Sequence, residues 1–266
     1  MEILCFKIRG KLAHFRKYYA NNTAFSFTIP PRTSLMGITA AVMGWNKDSY
    51  YEDLASEKIR FGIRVLSPLK KGFHRLNLLS IKAIGDMAKK WTSDFRGEGG
   101  RIQTPFEIVS CWDIRNGDVV YQVFLAPTES GDEIFKLLKE QFLKRKPVFG
   151  ISLGTANFIS SISDIELVEE DKIIVKPTND YVLMNTAVPT KLIEDLKFDK
   201  EEYANYNFVE EDMMPGDFIE NGNREVRKMN QLFFSITCNP IRIKLKSPYY
   251  EVSLKNEIIN LQFMDA

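Results

Sequence analysis

IPPRTSLMGITAAVMGW, running from Ile29 to Trp45, is the stretch whose reading decides the fold. Pro30 and Pro31 impose an extended approach, because proline fixes φ and biases its predecessor away from helix. Thr33 or Ser34 is expected to cap a helix with its hydroxyl. Leu35, Ile38 and Val42 form one apolar stripe, with Met36 and Met43 beside it. Gly37 and the Ala40-Ala41 pair allow close packing, and Gly44 suits a left-handed helix end. The predicted element is a short buried helix whose N-terminus follows a basic, aromatic loop. That geometry suits a bound phosphate as well as an ordinary capped helix.

Working outward, residues 2–12 alternate well enough for a first strand, although Phe6 breaks the pattern. Residues 13–28 have no period and carry His14, Phe15, Arg16, Lys17, Tyr18 and Tyr19. A second helical piece is expected at 50–56, and strict alternation of Ile59, Phe61, Ile63 and Val65 predicts a strand. From 67 to 103 the pattern dissolves into glycines and cations, among them Lys70, Lys71, His74, Arg75 and Arg101. A protruding loop or hairpin is expected there, with some strand at 76–81. Asn116-Gly117 predicts a type I′ hairpin between strands 104–113 and 118–126. Residues 130–145 predict a helix capped by Ser130, with Ile134, Leu137, Leu138 and Phe142 on its inner face. Residues 157–168 predict a closing strand.

This order is close to β-α-β-β-α-β, the ferredoxin-like split βαβ unit. The expected class is α+β, with a ferredoxin-like domain over residues 1–168 and a β-rich appendage over 169–266. The acidic stretch 194–223, including EEDMMPGD, reads as a solvated, turn-rich interruption.

With 36 basic and 35 acidic residues the net charge is +1, so any nucleic-acid site must come from local clustering. Arg9, Lys11, Arg16, Lys17, Tyr18 and Tyr19 mix cations with aromatic faces, a combination that meets phosphates and stacks on splayed bases. Taken alone, the same residues read as a solvated basic loop. Lys144, Arg145 and Lys146 suit phosphate contact or a helix C-terminus equally. The GISLG segment from Gly150 to Gly154 lacks the Gly-Lys-Ser/Thr ending of a phosphate-binding P-loop. Its glycines bring backbone N–H groups close to a polynucleotide, or simply make a tight connection. His14 and His74 are the only histidines, which limits acid–base options; one of them with Tyr18, Tyr19 or a lysine suits a metal-independent endoribonuclease, but without a partner each reads as an ordinary loop histidine. No metal or cofactor motif is present in the sequence. The three cysteines, far apart and odd in number, suggest reduced thiols in the cytoplasm. MEILCFKIRG has no signal-peptide core, and no run is long enough to span a membrane.

Two separated stretches together carry a family resemblance. IPPRTSLMGITAAVMG resembles the N-terminal signature of the CRISPR-associated family five proteins, the RAMP-type subunit of type I Cascade surveillance complexes. KPVFGISLGTANFISSI is similar to that family's glycine-bearing segment after the second helix. The likeness covers about residues 1–168 and is closest to the non-cutting branches such as type I-B. It implies a modified ferredoxin-like, RRM-like fold with a projecting thumb, here within 67–103. It also implies a non-catalytic role in antiviral defence, binding the 5′ handle of the guide RNA (crRNA) beside a large subunit and a backbone subunit. A contribution to recognising target DNA is left open, as is repeat-RNA cleavage, which one branch performs. Carried onto this chain, the family's loop–helix element is Pro31, Arg32, Thr33, Ser34 and Gly37, and its later glycines are Gly150 and Gly154. Apart from Arg32, the cations named above are additions from the residues, not from the family motif.

Overall fold

The computed structural model describes residues 1–20, 23–79, 100–198, 209–219 and 223–265. In chain order the first half contains β1 (Ile3–Gly10), β2 (Leu12–Ala13), β3 (Phe15–Arg16), β4 (Ser26–Phe27), α1 (Arg32–Met43), β5 (Ile59–Val65), β6 (Leu69–Leu79) and β7 (Arg101–Cys111). Next come β8 (Val119–Pro127), α2 (Asp132–Leu143), β9 (Ile151–Ser152) and β10 (Ile159–Val168). The remainder is β11 (Ile173–Lys176), β12 (Val182–Met184), β13 (Val188–Pro189), β14 (Ile193–Leu196), β15 (Val209–Phe218), β16 (Val226–Ser235), β17 (Ile241–Leu245), β18 (Tyr249–Ser253) and β19 (Ile258–Leu261).

The principal sheet is antiparallel with strand order β5-β8-β1-β10-β9. Leu4, Phe6 and Ile8 of the central β1 point into a core shared with α1 and α2. Ile3 and Cys5 point the other way, against Val252 of β18 and Ile259 and Leu261 of β19. Both faces are therefore covered, which is why Phe6 does not spoil the strand: a strand buried on two sides has no reason to alternate. The helix-side core also takes in Met214 of β15, Leu232 and Phe234 of β16, and Met264. Residues beyond 168 thus help build the main core.

α1 starts two residues earlier than a Thr33 cap requires and three earlier than a Ser34 cap. Pro31 holds the N-cap position at φ −55°, ψ 155°, and no side chain caps the helix. Its C-cap Gly44 is left-handed at φ 76°, as expected, and the Trp45 N–H bonds the Ala40 carbonyl at 3.0 Å. α2 begins after Gly131, not on a Ser130 cap, and it buries Phe135, Leu138 and Phe142 while Leu137 faces solvent. Residues 50–56 form turns, not a second helical piece.

Two pairings differ from the sequence reading. β7 and β8 do not form a hairpin with each other. β7 pairs with β6 from Leu69↔Cys111 to Leu79↔Arg101, whereas β8 enters the principal sheet. Around Asn116-Gly117 the Gly117 N–H returns to the Asp113 carbonyl at 2.7 Å, and no positive φ occurs at either residue. The unpatterned stretch after residue 67 accordingly begins as an eleven-residue strand. Lys82, Lys89, Lys90 and Arg96 lie outside the described residues. The acidic stretch contains β15, which pairs with β16 along its length, so EEDMMPGD is strand and not a solvated turn.

Candidate nucleic-acid interface

The two sequence motifs meet in space. The Val148 and Phe149 N–H groups donate to the Val42 and Ala41 carbonyls at 3.3 and 3.0 Å, tying the glycine-bearing segment to the last turns of α1. A side chain at Gly44 would lie 2.8 Å from Val148 Cγ1. At Gly154, with φ +94°, a Cβ would sit 1.8 Å from the His14 carbonyl oxygen. Glycine is required there by both conformation and space. Gly150 has nothing within 4 Å of its Cβ position.

Between α1, the β9 edge, the Arg16–Tyr18 loop and the β15–β16 strands lies a cleft of about 530 Å³. It gathers Arg16, Tyr18, Pro31, Thr33, Ser34, Gly150 and Gly154 of the sequence-derived set. It also takes in Tyr50, Tyr51, Phe218 and Arg224, which sequence reasoning missed. Among the described residues, no carboxylate lines it. The first turn of α1 carries no acidic residue of its own, and Thr33 and Ser34 line the cleft. Tyr18 and Tyr19 stand exposed in an edge-to-face pair 5.1 Å apart. This arrangement offers phosphate-compatible charge, free ring faces and room for single-stranded polymer.

Arg32 has a different place from the one its motif suggested. It is wholly buried, not on a surface edge. Its Nη1 donates to Asp217 Oδ1 at 2.5 Å and to the Gly216 carbonyl at 3.2 Å. Nη2 donates to the Leu54 and Ile59 carbonyls, each at 2.7 Å, and Nε is ion-paired with Asp265. The guanidinium lies over the Phe61 ring at 4.8 Å. With its donors turned inward, Arg32 fastens α1 to β15 and to the segment after β19.

The remaining cations separate into committed and uncommitted groups. Lys17 Nζ is 2.5 Å from Asp212 and lies over Phe27. Burial opposes its charge, but hydrogen bonds to Asp212 and Tyr19 outweigh that and leave its pKa above the ordinary lysine value. Lys71 pairs with Glu210 at 3.6 Å, and Lys70 donates to the Trp112 carbonyl at 2.7 Å. Lys11 bonds the Gly117 carbonyl at 3.0 Å and Asp118 at 3.3 Å. Arg9, Arg75 and Arg101 are exposed, the last two on the β6–β7 hairpin. Lys144, Arg145 and Lys146 are exposed after α2, and Arg145 has φ 56°. None of these lines the cleft.

His14 is buried against the Phe106 ring, with Nδ1 2.7 Å from the Glu107 carbonyl. Burial lowers its pKa. It is a packed core histidine, not an accessible acid or base. His74 is exposed on β6 opposite Phe106. Among the described residues no group of His, Cys, Asp and Glu is gathered to hold a metal ion. No helix among them is long and apolar enough to cross a membrane.

Fold and cleft together define a mixed protein of two described helices and mostly antiparallel strands, with a cation- and aromatic-lined groove beside the sheet edge. The family model of the CRISPR-associated protein (Cas_Cas5) matches residues 3–181, and the chain belongs to that family. The backbone is similar to the crystal structure of a CRISPR protein from Archaeoglobus fulgidus. The TM-score is 0.53 at 14% identity over 99% of each chain, a likeness of fold. A chain of a CRISPR RNA-guided surveillance complex aligns with TM-score 0.45 and 16% identity, over 90% of this chain and 91% of that one. No curated protein matches the sequence.

Proposed function

We propose that this chain is a non-catalytic subunit of a type I CRISPR surveillance complex, holding the 5′ handle of the crRNA and helping the large and backbone subunits assemble around it. The observation that carries the reading is the cleft, where the two family-like motifs converge with Arg16, Tyr18 and the open end of α1. In this reading residues 1–168 form a modified ferredoxin-like domain with its thumb within 67–103, of which 80–99 lie outside the described residues. The β-rich remainder, 169–266, completes that domain's core through Met214, Leu232, Phe234 and Met264 and walls the cleft with β15–β16. Arg9, Arg75, Arg101 and the Lys144–Lys146 cations serve as outer phosphate contacts, and the complex works in the cytoplasm.

The test is binding of labelled repeat-derived RNA to the purified chain and to an Arg16→Glu, Tyr18→Ala double variant. Loss of one stacked base costs about 1–3 kcal/mol, so with charge reversal the affinity should fall at least tenfold. Wild-type affinity should itself decline steeply with salt. Unchanged binding by the double variant removes the cleft as the RNA site.

A further inference from the structure

The family-matched region ends at residue 181, yet one wall of the cleft lies beyond it. That wall includes Arg224, at the entrance to β16. Its guanidinium reaches Asp48 in the loop after α1, with Nε 3.0 Å from Oδ1 and Nη2 3.5 Å from Oδ2. Tyr51 Oη donates to the same Oδ1 at 2.5 Å, so the carboxylate is itself oriented. Both ends of the pair sit on left-handed backbone: φ is 64° at Asp48, 50° at Asn223 and 65° at Arg224. Aspartate and asparagine tolerate the left-handed region, so Arg224 is the residue there whose conformation is unusual.

The pair is also open to water, with side-chain exposures of 50% for Arg224 and 40% for Asp48. An exposed pair adds little to stability, so exchanging its anion costs the fold little. The two-pronged guanidinium donates to phosphate oxygens in the geometry in which it donates to a carboxylate. Arg16, from the N-terminal loop, supplies the other cation lining the same cleft.

We infer that Arg224 is a phosphate-binding residue of the cleft, held in position by Asp48 until the backbone of a single-stranded RNA replaces that carboxylate. The inference rests on the RNA-binding reading above and adds a contact from the part of the chain outside the matched region. In the free protein Asp48, itself oriented by Tyr51, occupies the guanidinium that the RNA backbone then takes over.

The experiment titrates fluorescein-labelled repeat RNA with wild type, Arg224→Ala, Arg224→Lys and Asp48→Asn, each between about 50 and 200 mM salt. One lost phosphate contact on a single strand lowers the slope of log affinity against log salt by about 0.7. Arg224→Ala should show that reduction together with weaker binding. Arg224→Lys should restore the slope at lower affinity, since it keeps the charge but not the fork. Asp48→Asn should keep the wild-type slope and bind as tightly or more so. A wild-type slope in Arg224→Ala overturns the inference alone, as does an identical loss in Asp48→Asn and Arg224→Ala, which would make the pair a brace. Absence of salt-dependent RNA binding by the wild type overturns the functional reading and the inference with it. Melting temperatures of all four proteins separate a lost contact from a lost fold.

Discussion

Replacing Arg32 by Met should unfasten the protein more than any other single cation change. The substitution leaves Asp217 and Asp265, with side chains 2% and 4% exposed, as neighbouring buried carboxylates without a counter-charge. It also strips the Leu54 and Ile59 carbonyls of the donors that reach them at 2.7 Å. Breaking a buried pair from one side costs about 3–5 kcal/mol, since the partner charge stays buried. Each orphaned carbonyl adds about 1–3 kcal/mol, only partly additive. A net loss of at least about 4 kcal/mol is a large share of the roughly 5–15 kcal/mol by which domains are stable. In a chain of this size that lowers the melting temperature by about 8–16 °C. Circular dichroism melts and urea unfolding measure it directly. A companion variant separates charge from hydrogen bonding: Arg32→Met with Asp217→Leu and Asp265→Leu removes the charges together and should recover the ionic part of the loss, because apolar replacements of a buried ion cluster are often near neutral, while the part due to the unpaired Leu54 and Ile59 carbonyls remains. A single variant melting within a degree or two of wild type would refute the buried-clamp assignment. A triple variant as unstable as the single one would refute its electrostatic basis.

Two further outcomes follow from the same geometry. Gly154→Ala should destabilise by more than about 1 kcal/mol in urea unfolding, since φ +94° and the His14 carbonyl both exclude a Cβ, whereas Gly150→Ala should stay within about 0.5 kcal/mol. His14, whose pKa is lowered by burial, holds fewer protons folded than unfolded once the pH drops below about 6.5. Its contribution to stability is therefore complete above that pH and falls by up to about 1.4 kcal/mol per pH unit on acidification towards the folded pKa. Urea midpoints compared between wild type and His14→Gln across that range should show the dependence weakened in the variant.

What could be read from the sequence was local. The alternation of residues 59–65 and the apolar spacing within α1 are properties of consecutive residues, and both elements form where they were expected. Arg32 could not be placed that way, because its partners lie 185 residues away at Asp217 and beyond, at Asp265. Nothing in PPRTS distinguishes a cation bound for RNA from one bound for the interior. The Asn116-Gly117 hairpin fails for a related reason: the turn is real, but β7 finds a longer partner in β6 while β8 is taken by the principal sheet. The acidic run at 210–212 misled because its charges were counted without their partners. Glu210 meets Lys71 and Thr28, and Asp212 meets Lys17, so two of the three carboxylates are paired with lysines assigned to RNA, while Glu211 accepts from Gln231. A sequence signal for β15–β16 did exist in Asn221-Gly222, which would have pointed to Arg224 beside a turn.

The cleft needs both halves of the chain, and the reason is the short sheet edge. β9 contributes two residues, so β10 is covered only at Ile159 and Ser160, and the sheet stops beside α1 without closing against it. The glycine-bearing segment is held to α1 by Val148 and Phe149, and it passes beneath the His14 backbone because Gly154 has no side chain. These contacts build a floor and one side. The other side comes from β15–β16, which is fixed near the end of β15 by Asp217 to Arg32 and just before β16 by Arg224 to Asp48. Arg32 holds this wall from inside the core, its guanidinium turned to Asp217 and Asp265. Arg224 stands at the open side of the cleft, paired with Asp48 within reach of water.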